Sequence, residues 1–415
     1  MTQTLTHRQN IAWRNATFAV FALPGLVLAS WAARLPAVRD SLGIGLDQVG
    51  VLVFGIAAGS IFGLVLSSHI IARFGARTTI LAGLTVVAAG VAVAGIGATT
   101  AVFGVVFLGL FMFGFSSGIT DVAMNVSGAA NERALGKAIM PIFHAFFSFG
   151  TMVGAGLGAL AAALAIPVVI HMGIVAVLVL IGALSTFRFL QSEKVMEDGE
   201  QIPADDHSQT WRGRLSIWRD PRTILIGLVV LAAAFAEGTA NDWLTLAMVD
   251  GHGVDEATGA LVFGVFVTAM TAGRLGGVVL LNKFGRVPVL RASFVLAGVG
   301  LLVMIVVPDP IVATVGAIAW GLGSALGFPI GMSAAADDPK TAAARVSAVA
   351  TIGYLAFLAG PPVIGVLGEQ VGILNALLVA LVLCAIGVFV SGATREPSRT
   401  PAKADTFADP GVPST

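Results

Sequence analysis

Residues 50–55 read GVLVFG and residues 259–264 read GALVFG. Each motif opens an apolar run, 47–71 and 257–281. At 1.5 Å per residue in a helix, ~20 such residues cross a ~30 Å hydrocarbon core. Downstream of the two motifs come FGAR (74–77) and FGR (284–286), and further on GFSSG (114–118) and GFPIG (327–331). Three matches in one order, at nearly constant offset, point to a duplicated chain. Parallel duplication of membrane helices, with a ligand held between the halves, is a transporter architecture.

Composition agrees with that placement. Of 415 residues, 57% are hydrophobic and only 11% are charged, against about 25% charged in a soluble domain. Mean hydropathy is +0.93. Too few charges exist to coat a water-facing surface, so most of the exterior must meet lipid. Twelve runs are long enough to span: 14–37, 47–71, 78–97, 100–125, 138–163, 166–187, 222–248, 257–281, 287–307, 311–334, 342–366 and 371–392. Alternating strands are absent, which excludes a membrane β-barrel. The expected fold is an all-α membrane protein of twelve transmembrane helices in two pseudo-symmetric six-helix bundles.

Charge placement orients it. Of 23 basic residues, 20 fall on the side of the N-terminus and every second loop; only Arg34 and Arg39 fall opposite, and Arg274 lies within a helix. Positive residues gather on the cytoplasmic side, so both termini are expected there, in a multi-pass inner or plasma membrane protein. The expected organisation is an N-terminal segment (1–13), a first bundle (14–187), a cytoplasmic linker (188–221) with a short surface helix near Trp211–Trp218, a second bundle (222–392) and a disordered tail (393–415). The N-terminus lacks the h-region and cleavage site of a signal peptide.

The loops after the second and eighth helices resemble the signature Gly-xxx-Asp-Arg-x-Gly-Arg of the major facilitator superfamily. Arg73, Gly75 and Arg77, and Lys283, Gly285 and Arg286, match it; Ala72 and Asn282 stand where the family has Asp, and Ser68 and Val278 replace the first Gly. The resemblance implies a gating loop that clamps the halves through charge. SWAARLPAVRDSLG (30–43), GITDVAMN (118–125), IMPIFHAFFSFG (139–150) and EGTANDW (237–243) resemble the fucose-permease-like and rhizopine-permease-like branch. That branch places a protonatable carboxylate in the fourth helix, four residues before an Asn; Asp121 and Asn125 match. The branch's first-helix Asp has no counterpart, and Arg34 stands in that region instead.

Ionisable groups inside a span nominate the site, because hydrocarbon solvates charge so poorly. Asp121 and Asn125 share a helix face. His144, on the next helix, is expected at similar depth, giving an Asp121–Asn125–His144 cluster suited to proton coupling. In the seventh helix Glu237 lies near mid-membrane, Asn241 one turn on, and Asp242 beyond it on another face; Asn125, Asn241 and Asp242 are further substrate-binding candidates. Glu237 is expected to bind substrate or proton. Arg34, with Trp31 one turn before it and Pro36 bending the helix after, could hold an anionic solute or neutralise Glu237. Arg274 reads as a gate-side structural pairing. Trp243, Trp320 and Tyr354 could stack on a ring. Pro361-Pro362 are expected to interrupt the eleventh helix.

No phosphate loop, His-Glu-xx-His or Cys-xx-Cys spacing exists, and a lone cysteine, Cys384, excludes an intrachain disulfide. Zero net charge speaks against nucleic acid. No enzyme, cofactor or metal is expected. The expected function is secondary active transport of a small polar, sugar- or polyol-like solute, coupled to protons, by a monomer. An efflux carrier for amphipathic compounds, or a membrane sensor, is the alternative.

Overall fold

The computed structural model describes residues 5–136, 139–191, 217–338 and 341–396. Most of the 188–221 linker, with its expected surface helix, and the tail beyond 396 lie outside the described residues. Twelve helices are long and apolar enough to span: His7–Ala32, Leu46–Phe74, Ala76–Thr99, Phe103–Leu135, Ile142–Ala163, Val168–Phe187, Pro221–Gly251, Glu256–Phe284, Arg286–Val306, Pro310–Ala335, Ala344–Val371 and Ile373–Thr394. They are spans one to twelve below. Their outer faces carry bare apolar side chains, Phe389 being 82% exposed, which only a lipid surround tolerates.

Three boundaries differ from the sequence expectation. Span one starts at His7, inside the segment expected to precede it. Thr6 explains this: its Oγ1 accepts from the Gln9 backbone N–H at 3.3 Å while the Gln9 carboxamide accepts from Thr6 N at 2.8 Å. Such a reciprocal box starts a helix whatever its hydropathy. Span one also ends earlier, at Ala32; Arg34 caps a separate short helix, Leu35–Leu42, with proline in its first turn. Pro36 therefore begins a helix and does not bend one. Span eleven runs unbroken through Pro361 and Pro362, and the discontinuous helix is span ten, which breaks between Ser324 and Gly327.

The duplication is visible in the packing. In the first half, span one packs on five, two on four, three on four, and three on six. In the second, seven packs on eleven, eight on ten, nine on ten, and nine on twelve. Spans two and eleven, and five and eight, join the halves. Tight glycine contacts repeat too. A Cβ on Gly90 of span three would lie 2.7 Å from the Gly109 carbonyl oxygen of span four; a Cβ on Gly316 of span ten would lie 2.7 Å from the Gly300 oxygen of span nine. Helices that gain no hydrophobic drive from lipid rely on such approach. We expect Gly316→Leu to destabilise by about 1–3 kcal/mol, the usual cost of overpacking, read as a lowered thermal midpoint in detergent. An unchanged midpoint would remove the contact from the packing.

Gly75 and Gly285 each join two spans at φ +76°, a conformation open mainly to glycine. The basic residues beside them do not clamp the halves together. Arg77 donates to the Phe187 carbonyl at 3.1 Å and lies over its ring, and Arg286 pairs with Asp337 at 2.7 Å. Arg73 and Lys283 lie over the neighbouring Phe74 and Phe284 rings. Each tie stays within its own half. Without an acid at Ala72 or Asn282, the loops have no carboxylate to offer across the gap.

Candidate functional site

Helical periodicity builds a cavity between the halves. Along span two, Val53, Ile56, Ala57, Ser60, Ile61 and Leu64 form one stripe at three- and four-residue spacing. Phe113 and Ser117 of span four face it, with Phe147 of span five and Pro24 and Leu28 of span one. The second half contributes Gly238, Asn241 and Asp242 of span seven and Tyr354 and Phe357 of span eleven. The cavity's volume is about 260 Å³, just under the lower end for small-molecule sites, so it fits a small solute.

Asp121 continues the Phe113–Ser117 stripe one turn toward the end that carries both termini. It is exposed although it lies near the middle of a 33-residue helix, and Tyr354 of the other half is within its electrostatic reach. An exposed carboxylate at that depth, facing the opposite bundle, borders a vestibule and not lipid. Asn125 donates to the Asp121 backbone carbonyl at 2.8 Å and approaches its carboxylate at 3.4 Å. The expected third member is missing from this cluster. The His144 ring lies edge-on to Phe21, centroids 5.2 Å apart, and forms no hydrogen bond among the described residues. Its charge environment is set by Arg274 instead.

Glu237 is not neutralised by Arg34. Its carboxylate accepts from Arg274 at 2.9 Å, both within the second half, and Arg274 reaches Ser148 of the first half at 3.5 Å. Arg274 is thus a structural ion-pair partner that also bridges to the first half. Arg34 and Trp31 are 4% and 2% exposed and neither lines the cavity. Their removal from the binding surface follows from the early end of span one, which places Arg34 at the end of the bundle opposite the termini. There it lies within reach of Glu256 and of the buried His171, with Nε and Nη1 unpartnered.

Asn241 and Asp242, both substrate-binding candidates in sequence, do line the cavity; Asp242, expected on a face apart from Glu237, shares its stripe with Gly238 and Asn241. Trp243 and Trp320 are fully buried in packing, whereas Tyr354 is at the cavity wall. Ser60, Ser117 and the phenylalanines escape the sequence reading; the span-two stripe of small and branched residues is the available signal.

This arrangement agrees with the comparisons to known proteins. The model of the Major Facilitator Superfamily matches residues 16–279 and 230–412. The chain belongs to that superfamily. A transporter of the same type from Yersinia pestis, itself uncharacterised, is 29% identical over 399 residues, covering 94% of this chain and all of that one. The crystal structure of a point mutant of the nucleoside transporter NupG superposes with a TM-score of 0.73 at 16% identity, covering 93% of this chain and 98% of that one. The superfamily transporter FucP, in an outward conformation, gives 0.62 at 16% identity, covering 94% and 100%. These two likenesses are of fold. With membership established, the chain is a membrane transporter and not an enzyme.

A major facilitator protein must close one end while the other is open, and the closed end is plain here. Opposite the termini, Arg39 of the first half is ion-paired with Asp250 of the second. Span two begins after Gly45, a cap without a side chain, and Glu369 of span eleven supplies the missing acceptor, taking the Leu46 N–H at 2.8 Å. One half thereby caps a helix of the other. Toward the termini the halves are joined, among the described residues, by no ion pair and by one long hydrogen bond, Arg274 to Ser148 at 3.5 Å, a weaker tie that makes this the end where a vestibule can open. Loss of a cap costs ~1 kcal/mol, about a fivefold change in a population ratio. Glu369→Ala should therefore shift the protein several-fold toward opening of the opposite end, read by distances between spin labels on the two loops. An unaltered distance distribution would mean the cap does not hold the closed state.

Proposed function

We propose that this chain is a proton-coupled secondary transporter of the inner or plasma membrane, with both termini in the cytoplasm, working as a monomer. The halves 14–187 and 222–392 rock about the central cavity and expose it alternately. Asp121 carries the coupling proton, and Asn125 orients it. Asn241, Asp242 and Tyr354 contact the solute, while the Glu237–Arg274 pair stands outside the lining and holds span seven against span eight. The observation that carries this reading is the cavity between the halves, whose Phe113–Ser117 stripe runs on to Asp121.

The polar lining is sparse: Ser60, Ser117, Asn241, Asp242 and Tyr354 among mostly apolar side chains. A sugar or polyol would leave several hydroxyls facing hydrocarbon, each costly if unpaired. The lining therefore favours a solute with an apolar body and few polar groups, the amphipathic alternative. A nucleoside transporter and a fucose:proton symporter are among the structural neighbours, so nucleosides and fucose belong in the test set. Uptake of labelled solutes into proteoliposomes of both orientations, with and without an imposed pH gradient, tests the proposal and gives the direction. Gradient-driven accumulation is expected; no movement of any solute under any gradient would reject it.

A further inference from the structure

The central cavity holds an electrostatic imbalance. Glu237 is matched by Arg274, but Asp242 has no hydrogen-bond or ion-pair partner among the described residues. No Lys, Arg or His lines the cavity. A carboxylate in so apolar a hollow calls for a counter-charge or a proton. Around it stand Phe113, Phe147, Tyr354 and Phe357. Aromatic faces carry negative potential, and cations over them are attracted when desolvated. Carboxylate and rings together form a site of one electrical sign.

We infer that the cavity takes an organic amine, whose ammonium is received by Asp242 and whose apolar body lies among Phe113, Phe147, Tyr354 and Phe357. Asn241 accepts or donates the remaining polar contact of the cargo. The Glu237–Arg274 pair adds no net charge; the other carboxylate nearby, Asp121, lies one turn beyond Ser117, outside the lining, and carries the Asn125 contact. A sugar meets too few partners, and an organic anion meets repulsion. This inference names the cargo of the site described above and so rests on the transporter reading.

Three probes of nearly one shape separate the alternatives: 2-phenylethylamine, 2-phenylethanol and 3-phenylpropionate. Binding is measured on the full-length protein in detergent by calorimetry, and movement in proteoliposomes. The amine should bind at least tenfold tighter than the alcohol, and the acid not at all. Asp242→Asn should erase the amine's advantage over the alcohol; Asp242→Glu should retain part of it. Equal thermal midpoints of both variants and the parent show that the fold is intact. If the alcohol equals the amine, or the preference survives in Asp242→Asn, the inference fails even where transport of some probe shows the carrier reading to stand. Absence of amine binding also overturns it, while pH-driven uptake of any other solute would leave the carrier reading in place.

Discussion

Asp121→Asn should abolish proton-driven accumulation while leaving solute exchange across the membrane. One pH unit is worth about 1.36 kcal/mol per proton carried, so a gradient of two units supports roughly a 100-fold accumulation for one proton per solute. A carboxamide at position 121 keeps the shape and the contact with Asn125 but takes up no proton. The carrier then equilibrates its solute to a ratio near one. Exchange survives because it needs only the rocking of loaded halves. The measurement is counterflow and net uptake in the same vesicles. Undiminished accumulation by the variant would exclude Asp121 from coupling and direct attention to Asp242, the cavity carboxylate with no partner among the described residues.

The second large effect is expected at Glu237 and Arg274. Their 2.9 Å pair is partly open to the vestibule, with side-chain exposures of 18% and 33%. Breaking a fully buried pair from one side costs 3–5 kcal/mol because a charge is stranded; at this exposure about 1–3 kcal/mol is the appropriate scale. Arg274→Met strands Glu237 beside the cavity and Glu237→Gln strands Arg274, which also loses the geometry of its Ser148 contact. The double variant Glu237→Gln/Arg274→Met strands nothing. It should therefore be more stable than Arg274→Met alone, with a positive coupling in the cycle, read from thermal midpoints. Strictly additive effects would show that the two side chains act independently.

Much of this is legible in sequence because it rests on composition and periodicity. Lipid exposure demands apolar runs, so the spans announce themselves, and the GVLVFG–GALVFG repeat announces the two halves. Asp121 is legible for the same reason: a lone charge in a long apolar helix is conspicuous. What fails depends on rotation and on partners. Asp242 falls on another face when depth and helix face are judged from Glu237, whose own orientation is set by Arg274 of another span. Arg34 is misplaced when helix one is extended past Ala33. The cross-half cap by Glu369 cannot be read at all, since it joins residues more than 300 positions apart.

The central claim is that a water-filled vestibule between the halves reaches Ser117 and Asp121 from the end bearing the termini. The chain's one cysteine, Cys384, is buried, so Cys384→Ala gives a background for single-cysteine labelling. With Ser117→Cys or Asn125→Cys in vesicles of known orientation, a membrane-impermeant maleimide should react from the side of the termini and be blocked from the other. Glu369→Ala should raise reaction of Ser117→Cys from the opposite side. Failure of both cysteines to react from either aqueous side, together with reaction toward a lipid-soluble reagent, would place that face in the bilayer and contradict the account.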